Sequence, residues 1–248
     1  MRPIRIFILA TALTSAHAAD ICNPADFQGP YGFQLSGTAT IGLRPQPVVS
    51  VGRLVFDGQG SVTGVSSVSF TGLYLGNPIT GKYEAHDDCS VSWSLQDDSG
   101  NSQHFQGTMT SDALRVQFHQ TDPVGSSRGT LVKAAEKCQD SDFQKRYRYS
   151  VSGKRIDVDA GEVTGSVSAS GVLEASGGQL TLTPATDSAM PGSGTVQVGD
   201  DCFVQLHLSS PAEMLDMNFR GILVDQGRQL LGMATDPGTS VSLRLTAP

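Results

Sequence analysis

The segment Gly52-Arg53-Leu54-Val55-Phe56-Asp57-Gly58-Gln59-Gly60-Ser61-Val62-Thr63 spells a β-hairpin. Leu54 and Phe56 recur at a period of two, which in an extended strand sends both side chains to one face. Asp57-Gly58-Gln59-Gly60 supplies residues that tolerate positive φ, the backbone geometry a tight hairpin requires. Strands over residues 48–56 and 61–70 follow on either side of that turn.

The same alternation continues outward. Phe33 and Leu35 precede the hairpin; Val91, Trp93 and Leu95, then Leu114, Val116 and Phe118, follow it. They predict further strands at 31–40, 78–86, 89–95, 103–110, 113–120 and 128–133, each with one face inward and Ser, Thr and Gln left to meet water. The composition agrees: 28 glycines and 12 prolines favour many turns over long helices, and 38% hydrophobic against 17% charged residues excludes wholesale disorder. The longest helical competitor, Pro211 to Leu215, is too short for more than a turn.

The pattern then occurs again about 115 residues later. Cys22, Phe27, Tyr31 and Gly37 return as Cys138, Phe143, Tyr147 and Gly153 without a gap. Gly81 and Asp87-Asp88-Cys89 return as Gly194 and Asp200-Asp201-Cys202. Phe105-Gln106-Gly107 is answered by Phe219-Arg220-Gly221, and Thr121-Asp122-Pro123 by Thr235-Asp236-Pro237. This predicts two units, 19–136 and 137–248, joined by a connector at 132–137 too short to let them part. The second unit alternates through Leu180 and Leu182, Val196 and Val198, Val204, Leu206 and Leu208, and Val241, Leu243 and Leu245. The expected fold is all-β, with two tandem eight-stranded antiparallel β-barrels, since closure removes the exposed edges an open sheet would leave. A Greek-key sandwich is the alternative, because it shows the same alternation. Which faces of the two units meet is not written in the spacing.

Residues 1–18 read as a signal peptide: Arg2 and Arg5, an apolar run from Ile6 to Leu13, then Ala16-His17-Ala18 as the cleavage motif. Ala19 and Asp20 follow the cut, so no lipid-anchoring cysteine stands there. No later stretch reaches the roughly 20 apolar residues of a spanning helix. A soluble exported protein is expected, in the periplasm or outside the cell. The net charge of −7, and of −9 once the two leader arginines are removed, argues against nucleic-acid binding.

An exported chain meets an oxidising compartment, and all four cysteines lie beyond the leader, a pair in each unit. Of the three possible connectivities, Cys22 to Cys89 and Cys138 to Cys202 alone keep each unit self-contained. Each bridge closes a loop of more than 60 residues, worth about 4 kcal/mol by loop entropy. Redox activity has no Cys-x-x-Cys motif to support it.

With these residues in view, the first unit resembles a group of mostly uncharacterised exported bacterial β-repeat proteins. The resemblance rests on Cys22, Tyr31-Gly32-Phe33, Gly37, Phe56-Asp57-Gly58-Gln59-Gly60, Gly81-Lys82-Tyr83, Asp88-Cys89 and Thr121-Asp122-Pro123. The second unit keeps the cysteines, Tyr147, Thr195 and Thr235-Asp236-Pro237-Gly238, with Glu174 to Gly178 in place of the Phe-Asp-Gly-x-Gly turn. The resemblance implies a compact β unit outside the cytoplasm, calycin-like or allene-oxide-cyclase-like in shape, and brings no activity with it.

Candidate sites are few. His86, Asp87 and Asp88 are possible metal ligands by type, but consecutive strand residues face opposite ways, and Gly199 replaces His86 in the second unit. No metal and no cofactor is expected. Asp88 and Asp201 suit acceptors of backbone hydrogen bonds at a strand junction. Asp122 and Asp236 precede prolines where strands should end; His119 is the nearest sequence partner for Asp122, and Met233 stands at its place in the second unit. His119, Asp122 and Asp236 form the candidate polar site. Lys145-Arg146-Tyr147-Arg148 is either a rim for an anionic partner or a solvated strand end, and Trp93 suits core packing. No catalytic residue is assigned, since hydrolase and nucleotide motifs are missing. Three readings follow: a structural or interaction module binding a protein or glycan, a carrier of a small apolar ligand, and a barrel cyclase or isomerase using His119 and Asp122.

Overall fold

The computed structural model describes residues 21–41, 44–70, 72–123, 125–185 and 190–248. The leader read at 1–18 lies outside them. Strands β1 (Gly29–Ile41), β2 (Arg44–Phe56), β3 (Ser61–Phe70), β4 (Leu73–Ala85), β5 (Ser90–Asp97), β6 (Ser102–Met109), β7 (Arg115–Gln120) and β8 (Gly125–Lys133) pair antiparallel in chain order, and β8 returns to β1. Strands β9 (Arg146–Asp157), β10 (Glu162–Ser176), β11 (Gln179–Pro184), β12 (Gly192–Val198), β13 (Phe203–Ser210), β14 (Leu215–Val224), β15 (Gln229–Ala234) and β16 (Thr239–Thr246) do the same, with β16 closing on β9. Each sheet is one closed meander, so the sandwich alternative falls: a sandwich needs two facing sheets, and here every strand has a partner on both sides.

Two strands begin earlier than their composition suggests. β2 starts at Arg44 and β4 at Leu73, through Pro45, Pro47 and Pro78. The β2 to β3 ladder begins only at Val48, so residues 44–47 hydrogen-bond on one side, and a proline's missing N–H is tolerated on the other.

One end of each ring is plugged. In the first, a 3₁₀ turn at Pro24–Asp26 delivers Phe27 into the opening, where its ring centroid lies 5.0 Å from Tyr31 and 4.4 Å from Phe56. The disulfide Cys22–Cys89 ties this segment to the β4–β5 turn, and Cys138–Cys202 does the same for the second ring. The two plugs match in detail. Cys89 and Cys202 both have φ of 66°, and the buried phenols of Tyr31 and Tyr147 each donate to a backbone oxygen at 2.6 Å, of Ala113 and Gly227. Burial pushes both phenols up, Tyr147 to about 12, so they stay protonated donors. The hairpin turns differ in chemistry: Asp57 Oδ1 accepts from the N–H groups of Gln59 and Ser61, whereas Gly177-Gly178 makes the corresponding turn with two positive φ values of 58° and 80°.

The rings lie side by side, outer face of β1–β3 against β14–β16. Gln34 is buried there: its amide donates to the carbonyls of Gly232 (2.7 Å) and Leu243 (3.0 Å) and accepts from Arg244 (3.0 Å). Val49, Val51 and Met233 pack together, Ser69 donates to the Thr239 carbonyl, and a Cβ on Gly32 would sit 2.4 Å from Val224. The plugged ends share a side, where the Asp225 N–H donates to the Lys133 carbonyl (2.9 Å). The opposite ends also meet, where Gly238 donates to Gly72 (2.8 Å) and Gln46 to Gly161 (2.9 Å). The two ends opposite the plugs therefore face the same way.

Candidate functional site

Alternation along six of the strands sends Phe33, Leu35, Leu54, Trp93, Leu95, Phe105, Phe118 and Leu131 into the first ring. Phe33 crosses toward Gly52, and Phe118 toward Gly129, positions where a Cβ would lie 2.5 Å from the ring. Trp93 stacks on Phe105 at 5.4 Å and meets Phe118 edge-on at 5.0 Å. These rings form a floor near mid-barrel. Above it lies a chamber of about 540 Å³ that extends to the unplugged end. Ser50, Val68, Ile79 and Ser127 line its wall; Thr40, Phe70, Leu75, Asn77, Asp97, Asn101, Gln103, Gln120 and Asp122 surround the mouth. Leu75 is 47% exposed there, an apolar side chain left facing the opening.

The second ring, built to the same spacing, fills the corresponding space. Leu215 and Met217 stand at the places of Asn101 and Gln103, Leu182 at that of Gly64, Ala234 at that of Gln120 and Val241 at that of Ser127. Leu182, Leu208 and Val241 have no exposure, and Met217 has 1%. A 3₁₀ turn at Pro211–Glu213 closes the mouth: the Tyr149 hydroxyl donates to Glu213 Oε2 at 2.5 Å, and the Ser170 N–H to Oε1 at 2.8 Å. Burial and the Glu213 carboxylate push the Tyr149 phenol well up, so it stays a donor.

Asp122 sits on the rim, but its partner is not His119. Its Oδ2 accepts from the His104 backbone N–H at 2.8 Å, its Oδ1 lies 2.8 Å from His104 Nδ1, and Gln120 donates at 3.1 Å. Partial burial opposes the charge, yet the His104 and Gln120 hydrogen bonds hold the carboxyl below the usual carboxylate range. His119 lies on the outer face of β7, exposed, because Val116 and Phe118 take the inward positions; its counterpart Met233 is buried between the rings. Asp236 belongs to the other ring, where it holds Asn218 through the backbone N–H (2.7 Å) and Nδ2 (2.8 Å). The three residues of the candidate polar site are thus not assembled, and the cyclase reading loses its pair. The spacing missed His104 because its link to Asp122 crosses from β6 to the end of β7, 18 residues away.

Other expectations resolve as local structure. Asp88 accepts from Ser90 N at 2.9 Å and Asp201 from Phe203 N at 3.1 Å; His86 and Asp87 are exposed beside them. Among the described residues no group of three metal-ligating side chains forms, and no helix is long and apolar enough to cross a membrane. Arg146 and Arg148 point outward on β9 while Tyr147 points in, and Arg146 faces Glu174 at 3.8 Å. A shallower cleft of about 730 Å³ runs outside the second ring, where Tyr74 faces Gln179, Thr195, His207, Asn218 and Arg220.

No protein-family model matches the chain, and no curated protein matches its sequence. Among solved structures it is similar to transferrin binding protein B of Haemophilus parasuis, at 8% identity over 88% of this chain and 76% of that one, TM-score 0.30. The same protein from serogroup B Neisseria meningitidis gives 7% identity, coverage of 89% and 75%, and TM-score 0.31. A Nostoc punctiforme protein of unknown function from the DUF3598 family gives 10%, coverage of 94% and 100%, and TM-score 0.29. Likenesses this distant carry no inference about what the chain binds.

Proposed function

We propose that the protein is an exported binding module in which the first ring is a chamber for one small, mainly apolar ligand and the second is a filled, stabilising copy. The observation that carries this reading is the contrast between the rings: one plan, with a 540 Å³ chamber in the first and side chains of almost no exposure in the second. That volume falls within the roughly 300–1,000 Å³ of small-molecule sites, and an apolar interior with a few polar groups at the mouth is their usual chemistry. The plug and meander order support a calycin-like shape. The two disulfides support export, with periplasm and medium equally served by them. Matching plugs and clasps support a duplicated unit with boundaries at 19–136 and 137–248, after removal of residues 1–18.

Trp93, the only tryptophan, lines the chamber and reports on it. Titration with an uncharged apolar probe such as 1-dodecanol is expected to change Trp93 emission saturably at one site per chain. Ser127→Phe, which puts a ring into the chamber from its wall, should abolish the change while the melting temperature holds. An unaltered Trp93 signal throughout, or equal binding by Ser127→Phe, would return the protein to the reading of a structural module. The polar cleft beside Tyr74 supports a second reading, a glycan or protein partner on the outer face, tested by glycan-array binding with and without Tyr74→Ala.

A further inference from the structure

The mouth of the chamber carries a charge rule. Asp97 and Asp122 stand on its rim with the amides of Asn77, Asn101 and Gln103, and among the described residues no Lys, Arg or His lines the chamber. Both carboxylates are fixed: Asp97 Oδ1 accepts from the Ser99 N–H at 3.0 Å, the Ser99 hydroxyl at 2.6 Å and the Asn101 N–H at 3.0 Å, and Asp122 is held by His104. The Asp97 partners are neutral donors of its own loop, so that charge remains uncompensated toward a ligand, whereas Asp122 is paired with the His104 ring at 2.8 Å. An apolar body seated on the Trp93 floor brings its polar end to this rim. An anionic end would then be desolvated beside the like charge of Asp97, and a cationic end beside an opposite one.

We propose that the chamber selects amphiphiles with a cationic amine at the polar end and rejects carboxylates of the same body. This rests on the chamber reading above and names its ligand class. In the second ring Ser210 and Leu215 replace Asp97 and Asn101, and Glu213, a carboxylate at the mouth, is bound by the Tyr149 hydroxyl and the Ser170 N–H.

The test uses the whole chain and three probes of one length, dodecylamine, 1-dodecanol and dodecanoate, below their micelle concentrations, with Trp93 emission as the readout. The amine is expected to bind tightest, with dodecanoate about tenfold or more weaker than the alcohol. Asp97→Asn should narrow the spread between amine and carboxylate, and so should added salt, which screens the rim without altering the fold. Dodecanoate binding as well as the amine, or a spread unmoved by both salt and Asp97→Asn, overturns the charge rule while the chamber reading stands. Failure of all three probes to move Trp93 overturns both.

Discussion

Asp122 and His104 are joined twice, backbone N–H to Oδ2 at 2.8 Å and ring Nδ1 to Oδ1 at 2.8 Å, and Asp236 holds Asn218 through the same two positions in the other ring. Thr121 and Thr235 add matching bonds to the carbonyls of His104 and Asn218, each at 2.9 Å. The Thr-Asp-Pro triplet is therefore a clasp that ends β7 or β15 against its neighbour. Asp122→Ala should lower stability by about 1–2 kcal/mol, because it removes charge-assisted hydrogen bonds to the His104 backbone and ring. His104→Ala keeps that backbone bond and should have a smaller effect. Urea unfolding of both variants checks the order; a larger loss for His104→Ala would show that the ring bond carries the clasp.

Stability should fall in acid. Asp97 is held low chiefly by the Ser99 hydroxyl, Asp112 by the Thr110 hydroxyl, and Asp122 by His104 and Gln120 against its burial. Their folded-state values lie below the unfolded value of about 3.9, so their contribution is complete above that pH and is lost as pH falls through the folded values. Urea midpoints measured from pH 6 down to pH 2 should decline below about pH 4, with a shallower decline in Asp112→Asn.

Gln34 joins the rings. Gln34→Ala leaves the Gly232 and Leu243 carbonyls and the Arg244 guanidinium without it, a loss of about 2–3 kcal/mol. Calorimetry should show the two rings unfolding in separate transitions in the variant and together in the parent. A single unchanged transition would place the coupling in the apolar contacts of Val49, Val51 and Met233 instead.

Glu213 latches the second mouth. Glu213→Ala frees the Tyr149 hydroxyl and the Ser170 N–H, and should cost about 1–2 kcal/mol in urea unfolding. It should add no second binding site for dodecanol, because Leu182, Leu208 and Met217 still fill the space below.

Removing either disulfide should cost about 4 kcal/mol, since the bridges span 67 and 64 residues. Cys22→Ala with Cys89→Ala should loosen the plug carrying Phe27, and with it the floor around Trp93; hydrogen exchange at the amides of Phe27 and Met109 would report it.

Alternation, turn residues and repeated spacing are properties of near neighbours along the chain. Those were enough for the eight-strand plan of each unit, the cysteine pairs and the turn role of Asp88 and Asp201. Pro45, Pro47 and Pro78 hid the starts of β2 and β4, because whether a proline is tolerated depends on which side of the strand is paired. Closure itself, the meeting of β1–β3 with β14–β16, and the choice of His104 over His119 needed the tertiary structure, because each joins residues from different strands. So did the chamber: a cavity is the difference between a ring's inner volume and the side chains that eight strands send into it, and no single stretch of the chain contains that difference.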